Sequence, residues 1–143
     1  MSKYFKNKDE FVKTLTALFE RLKSDPKVGP DVAKAKIAIR FEYSDLGVSV
    51  LINGRDKPAD PKDYLSYEWD GKSTEPDVTM SNSADFCHRF WHGKENPVMA
   101  IALGKIKIKG DAAKAMALLP AIKPAYKIYP QVLKEIGRSD IAL

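Results

Sequence analysis

The sequence predicts an α+β (mixed α/β) fold, a five-stranded sheet covered by helices on one face. Three observations lead to it. Residues 8–22 carry apolar side chains at helical spacing, and residues 37–81 change to the two-residue period of strands. Beyond Ser83 the helical spacing returns, interrupted by a strictly alternating run at 105–110. Strands grouped between helices are satisfied by one sheet whose apolar face lies under a helical layer.

The first helix opens on Asn7-Lys8-Asp9-Glu10, the spacing of a capping box in which Asn7 accepts an amide proton and Glu10 reaches back. Phe11, Val12, Leu15, Leu18, Phe19 and Leu22 then form one inward stripe. Pro26, Gly29 and Pro30 are expected to end it. Ile37, Ile39 and Phe41 alternate with Ala38, Arg40 and Glu42 as a strand with one buried face. After the turn at Ser44–Gly47, Val48–Ile52 returns as the second arm of a hairpin. Arg55–Lys62 reads as a polar loop, residues 64–69 as a third strand and residues 76–81 as a short fourth.

From Ser83, with Ser81 or Ser83 as cap and Asp85 in the first turn, Phe86, Phe90 and Trp91 share one side of a helix that Gly93 closes. Asn96-Pro97 starts another short helix, ended by Gly104. Lys105, Lys107 and Lys109 alternate with Ile106 and Ile108 in a fifth strand. The last segment begins at Asp111 and is helical but broken by Pro120, Pro124 and Pro130, since proline removes an intrahelical donor. Pro124 can open the final helix, whose inward face would carry Ala125, Tyr126, Tyr129, Val132, Leu133 and Ile136.

A chain of 143 residues suits a single domain spanning 1–143, and its 44% hydrophobic and 30% charged residues are those of an ordinary globular protein. The longest apolar run, Val98–Leu103, is far short of a membrane span, and the charged start MSKYFKNKDEF lacks a signal-peptide core. One cysteine excludes an internal disulfide framework, so a cytoplasmic setting is expected. The net charge of +5 is unevenly placed. Residues 105–143 hold eight of the 24 basic residues and three of the 19 acidic ones, while the first 104 are balanced. A basic end of this kind suits a phosphate-bearing ligand, an anionic membrane surface or simply a solvated helix face.

Motifs for chemistry are sparse. His88 and His92 stand at i and i+4, but no third histidine exists, and Arg-Phe-Trp between them lacks the glutamate of a zinc-protease helix. Cys87 and His88 are adjacent and do not face one another on a helix. No phosphate loop, dinucleotide fingerprint or nucleophile elbow is present. The expectation is therefore no enzyme, no metal and no cofactor. Nucleic acid is not expected as a partner either, because the lysines of the fifth strand alternate with isoleucines rather than exposed aromatics. Lysines on an edge strand also prevent unwanted strand pairing.

What stands out is the soft apolar surface supplied by short or broken helices. Phe86, Phe90, Trp91, Met99, Leu103, Met116, Leu119, Ile122 and Tyr126 are the candidate lining residues of a cavity between those helices and the sheet. Composition alone favours an ordinary filled core, since such residues are usually core.

The residues Pro76-Asp77-Val78-Thr79-Met80-Ser81, Asp85-Phe86, Gly93-Lys94 with Pro97, and Gly104-Lys105-Ile106-Lys107-Ile108-Lys109-Gly110-Asp111, in that order, resemble the sterol carrier protein type-two family. The likeness is sharpest over residues 76–119. It implies a five-stranded sheet with a helical cover and an internal apolar tunnel for a fatty acyl chain, fatty acyl-CoA, sterol or phospholipid. It also implies non-catalytic binding and transfer, with the cavity reading favoured over the filled core. The tail at 120–143 is longer and richer in proline than the family's short terminal helix, and Ile141-Ala142-Leu143 is not a peroxisomal Ser-Lys-Leu address.

The leading expectation is thus a lipid carrier, with Lys105, Lys107 and Lys109 as candidate contacts for an anionic head group and an anionic membrane as a transient partner. Burying a dozen methylenes at ~0.8 kcal/mol each supplies roughly 10 kcal/mol before entropic costs, so tight binding needs no polar motif. The alternative is an accessory protein with a filled core, whose C-terminal helices dock a partner protein or a second copy.

Overall fold

The computed structural model describes residues 2–143. In chain order the elements are α1 (Lys8–Leu22), α2 (Gly29–Ala35), β1 (Ala38–Tyr43), β2 (Val48–Asn53), β3 (Ser66–Trp69), β4 (Val78–Asn82), α3 (Ala84–Trp91), α4 (Pro97–Ala102), β5 (Lys107–Gly110), α5 (Ala112–Ala117), α6 (Leu119–Ile122) and α7 (Ala125–Glu135), followed by a 3-10 turn at Ser139–Ile141. The strands form a five-stranded sheet in the order β3-β2-β1-β4-β5. Every pairing is antiparallel except the central β1–β4 pair, which is parallel.

Register separates the two faces. Ile39, Phe41 and Tyr43 lie beside Ile52, Val50 and Val48 on one neighbour, and beside Val78, Met80 and Asn82 on the other. Trp69 and Tyr67 extend that face past β2, and Ile108 extends it past β4. The opposite face carries Arg40, Glu42, Ser49, Glu68, Thr79, Ser81, Lys107 and Lys109 and is largely polar. The helices cover the apolar face. Phe11 of α1 meets Tyr43 and Trp69 edge-on, and Phe19 sits between Trp69 and Trp91. The Trp69 indole N–H donates to Thr16 Oγ1 at 2.9 Å, so its polar atom is satisfied within the helix–sheet layer.

The caps follow the sequence. Asn7 Oδ1 accepts the Glu10 amide at 2.9 Å and Ser83 Oγ accepts that of Phe86 at 3.0 Å. Asn96 Oδ1 accepts from Val98 and Met99, and Asp111 Oδ1 from Lys114. Glu10 reaches back to the Lys6 amide rather than to Asn7, and also pairs with Arg138.

Three expectations are corrected. Gly29 and Pro30, read as part of a helix stop, instead start α2, because proline in a first turn gives up an amide that has no intrahelical partner anyway. The third strand begins at Ser66, since the Tyr64 amide is drawn away to Lys23 O at 2.7 Å. The fifth strand begins at Lys107, since the Lys105 and Ile106 amides still bond Ala100 O at the end of α4.

Asp77 joins the two halves of the sheet. Its Oδ2 accepts the Ala38 amide at 2.8 Å, while its Oδ1 faces Arg55 at 3.0 Å and Lys114 at 3.8 Å. Gly110 is required beside it. Its φ is +105°, and a Cβ there would stand 2.5 Å from Asp77 O.

Candidate ligand-binding cavity

Between the apolar sheet face and the helices lies a cavity of about 90 Å³. Its floor is Ile39 and Phe41 of β1, Ile52 of β2, and Met80 and Asn82 of β4. Phe19, Leu22, Val28, Val32 and Leu65 close one side, and Phe86, Phe90, Trp91, Pro97 and Ile106 another. Ala115, Met116, Leu118, Leu119 and Ile122 of the α5–α6 segment form the roof. The two-residue period of the strands and the capped start of α3 at Ser83 bring these side chains together.

One polar residue, Asn82, interrupts this lining, and its Oδ1 is buried without a hydrogen-bond partner. Asn82 occupies the inward position of β4 after Val78 and Met80, where the strand period calls for an apolar residue. A buried acceptor without a donor costs about 1–3 kcal/mol.

Six of the nine apolar residues singled out in the sequence reach the cavity: Phe86, Phe90, Trp91, Met116, Leu119 and Ile122. Three do not. Met99 and Leu103 project outward, because α4 turns Ala100 inward instead. Tyr126 packs over Gly93 and edge-on to Phe90, outside the lining. The three lysines also stand away from the cavity. Lys107 and Lys109 are in register with Ser81 and Thr79 on the polar sheet face, and Lys105 is exposed on the turn before the strand. β5 is an edge strand, the place where lysines discourage edge-to-edge pairing.

The further lining residues come from α1, α2, the loop before β3, the inner strand positions, and from Pro97, Ile106, Ala115 and Leu118. Phe19 and Leu22 belong to the inward stripe of the first helix, and Ile39 and Phe41 to the inward face of the first strand. Only their shared destination was hidden. Asn82 carried no signal beyond being a polar residue in phase with Val78 and Met80.

The groups with chemical potential are held by the fold. His88 is fully buried, with Nδ1 2.8 Å from the Tyr129 hydroxyl and Nε2 2.7 Å from Ile141 O. A carbonyl only accepts, so Nε2 carries the proton and Nδ1 accepts from tyrosine. Burial lowers the His88 pKa to about 4. His92 Nδ1 donates to His88 O at 2.8 Å, and its Nε2 accepts the Leu143 amide at 3.2 Å. The Cys87 thiol, enclosed beside Tyr43, is pushed up to about 12 by desolvation. Among the described residues, no group of three or more His, Cys, Asp or Glu side chains is arranged to hold a metal ion.

The profile of the SCP-2 sterol transfer family matches residues 15–123. None of the curated proteins gives a significant match. Among solved structures, sterol carrier protein 2 from Yarrowia lipolytica in its apo form superposes with a TM-score of 0.57 at 19% identity, over 88% of this chain and 96% of that one. The sterol carrier protein domain 2 of Helicoverpa armigera gives 0.56 at 24% identity, over 82% and 89%. The inverting sec-alkylsulfatase Pisa1 from a Pseudomonas species gives 0.52 at 17% identity, and the match spans 64% of this chain but only 14% of the sulfatase. At these identities the structural likeness establishes the fold.

Proposed function

Because this chain belongs to the SCP-2 sterol transfer family, we propose that it binds and transfers an apolar, lipid-like molecule (a fatty acyl chain, acyl-CoA, sterol or phospholipid) without chemical change. The observation that carries this reading is the largely apolar cavity between sheet and helices, lined by residues of six helices and three strands. Non-catalytic binding is supported by the condition of the reactive groups. Both histidines are engaged by the fold, and the one thiol is buried and hard to ionise. No helix among the described residues is long and apolar enough to cross a membrane. We place the chain in the cytoplasm, acting over 1–143 as one lipid-binding unit with no cofactor.

The cavity is smaller than the ~150 Å³ that admits benzene in an engineered core, so a lipid must enlarge it. The α5–α6 roof is the part suited to yield. α6 has four residues, Pro120 lies in its first turn and Pro124 follows it, so two amides are missing from the local bonding. Met116, Leu119 and Ile122 are only half-buried there. Displacing that roof would expose the apolar floor to an incoming chain.

The small volume of the cavity also favours a second reading, in which the core stays filled and the C-terminal helices dock a partner protein. Titration with a fluorescent fatty acid, exciting Trp91 and Trp69 and following energy transfer, separates the two. Saturable one-to-one binding, displaced by an acyl-CoA or a sterol, is the result expected of a carrier. No transfer up to the solubility limit by folded, ligand-free protein overturns it and leaves the accessory reading.

A further inference from the structure

Beside the cavity the structure exposes apolar surface in a way it does nowhere else in its elements. Val98 is 62% exposed, Met99 55% and Leu103 65%, and the remaining large exposed apolar side chain among the described residues is Leu143. The three come from one turn of chain. α4 faces the core with Ala100, and Met99 and Leu103, four apart, share its outer side. The chain then reverses at Gly104, where φ is +76° and nothing lies within 4 Å of where a Cβ would be, so the turn stands free in solvent.

The charge around this knob is one-sided. Between Gly93 and Gly110 the basic residues are Lys94, Lys105, Lys107 and Lys109, all exposed, and the one acidic residue, Glu95, is paired with Arg89 at 3.2 Å. Pro97 at the start of α4 and Ile106 just after it both line the cavity. An apolar knob flanked along the chain by the exposed Lys94 and Lys105 therefore adjoins the cavity.

We infer that this knob docks on an anionic lipid surface, with Val98, Met99 and Leu103 entering the interfacial layer and Lys94 and Lys105 meeting the head groups. The charge selects this occupant. A second copy of the chain would set lysine against lysine, and three side chains fall well short of the ~800 Å² per partner of a stable protein interface. A lipid surface asks for no matching shape. Apolar insertion combined with basic flanks is the pair of signals that holds a protein reversibly at a membrane. The use of this docking for ligand exchange rests on the carrier reading above, but the docking itself does not.

Flotation of the full chain with phosphatidylcholine vesicles, with and without phosphatidylserine, tests this. Wild-type protein should float with the phosphatidylserine vesicles and be released by salt. Met99→Asp with Leu103→Asp should reduce binding by on the order of tenfold per side chain, and Lys94→Glu with Lys105→Glu by on the order of fivefold per charge. Both variants should keep fatty-acid binding in solution, since none of these residues lines the cavity. Absence of wild-type flotation, or flotation unchanged in both variants, overturns the inference. So does a wild-type dimer in sedimentation velocity that Leu103→Asp converts to monomer, because the knob would then be covered by a second copy. Failure of fatty-acid binding with flotation intact removes the carrier reading and leaves the docking standing.

Discussion

The His88 imidazole and the Tyr129 hydroxyl meet 2.8 Å apart inside the protein, joining α3 to α7 where neither side chain can reach water. With Ile141 O on the other ring nitrogen, the imidazole is a three-way joint between two helices and the terminal 3-10 turn. Tyr4 packs against the ring at a tilt, and Phe5 and His92 meet it edge-on. Protonation would put a charge into this site and turn its acceptor nitrogen into a second donor.

That joint makes stability depend on pH. The His88 pKa falls from 6.5 to about 4 on folding. Between those values the unfolded chain binds the proton and the folded one does not, so stability is lost as pH falls through that window. The loss should approach roughly 3 kcal/mol near pH 4 and then level off for this group. Urea unfolding at several pH values should show the slope in wild type. His88→Asn should be less stable at neutral pH and show a shallower slope over the same interval.

Cys87 should resist labelling. Its thiol is buried and its pKa raised to about 12, so little thiolate forms at pH 8 and a reagent has no access. Ellman's reagent should react with folded protein only at the rate of opening, and promptly in denaturant. Fast labelling of native protein would show that the α3 layer opens far more readily than its packing implies.

The Asp77 carboxylate should be a stabilising group rather than a ligand contact. Its bond from the Ala38 amide, with Arg55 and Lys114 nearby, holds its pKa below the ordinary value. Asp77→Ala removes a charged acceptor from the amide of buried Ala38 and should cost about 2 kcal/mol in chemical unfolding. Its effect on fatty-acid affinity, measured at a temperature where the variant remains folded, should be small.

Asn82 should trade stability for selectivity. Asn82→Leu removes the orphaned buried oxygen beside the cavity and should stabilise the ligand-free protein by about 1 kcal/mol. The same change should weaken a long-chain alcohol relative to its parent alkane. An unchanged preference would mean that the oxygen does not contact the ligand's polar end.

Filling the roof tests where the ligand goes. Met116→Trp adds bulk to the cavity lining and should cut fatty-acid affinity at least tenfold while leaving the fold intact by circular dichroism. Tyr126→Trp, outside the lining, should not.

Much of this architecture could be read from residue spacing. The inward stripe of α1, the hairpin of β1 and β2, and the capped start of α3 all followed from local periodicity, because each element's own buried face dictates its pattern. The failures share a different cause. Gly29-Pro30 has the same composition whether it ends one helix or begins another, and only the position of Leu22 and Tyr64 around it decides. Met99 and Leu103 looked like core because apolar residues usually are, yet a six-residue helix capped at Asn96 can bury only one side, and Ala100 took it. Lys107 and Lys109 were correctly out of phase with the isoleucines, but which way out lay could be known only once β5 had a place beside β4.

Phe41 and Met80 sit side by side across the parallel β1–β4 pair, and both are cavity floor. That pair is the seam where a ribbon of three strands meets one of two, and no short turn connects its members. Pairing across it closes a far longer loop than the β1–β2 hairpin does, and so costs more chain entropy. A molecule lying across Phe41 and Met80 would hold both ribbons at once. Occupancy should therefore slow amide hydrogen exchange along β1 and β4 more than along the β1–β2 hairpin, and the cargo would act as a clasp on the fold that carries it.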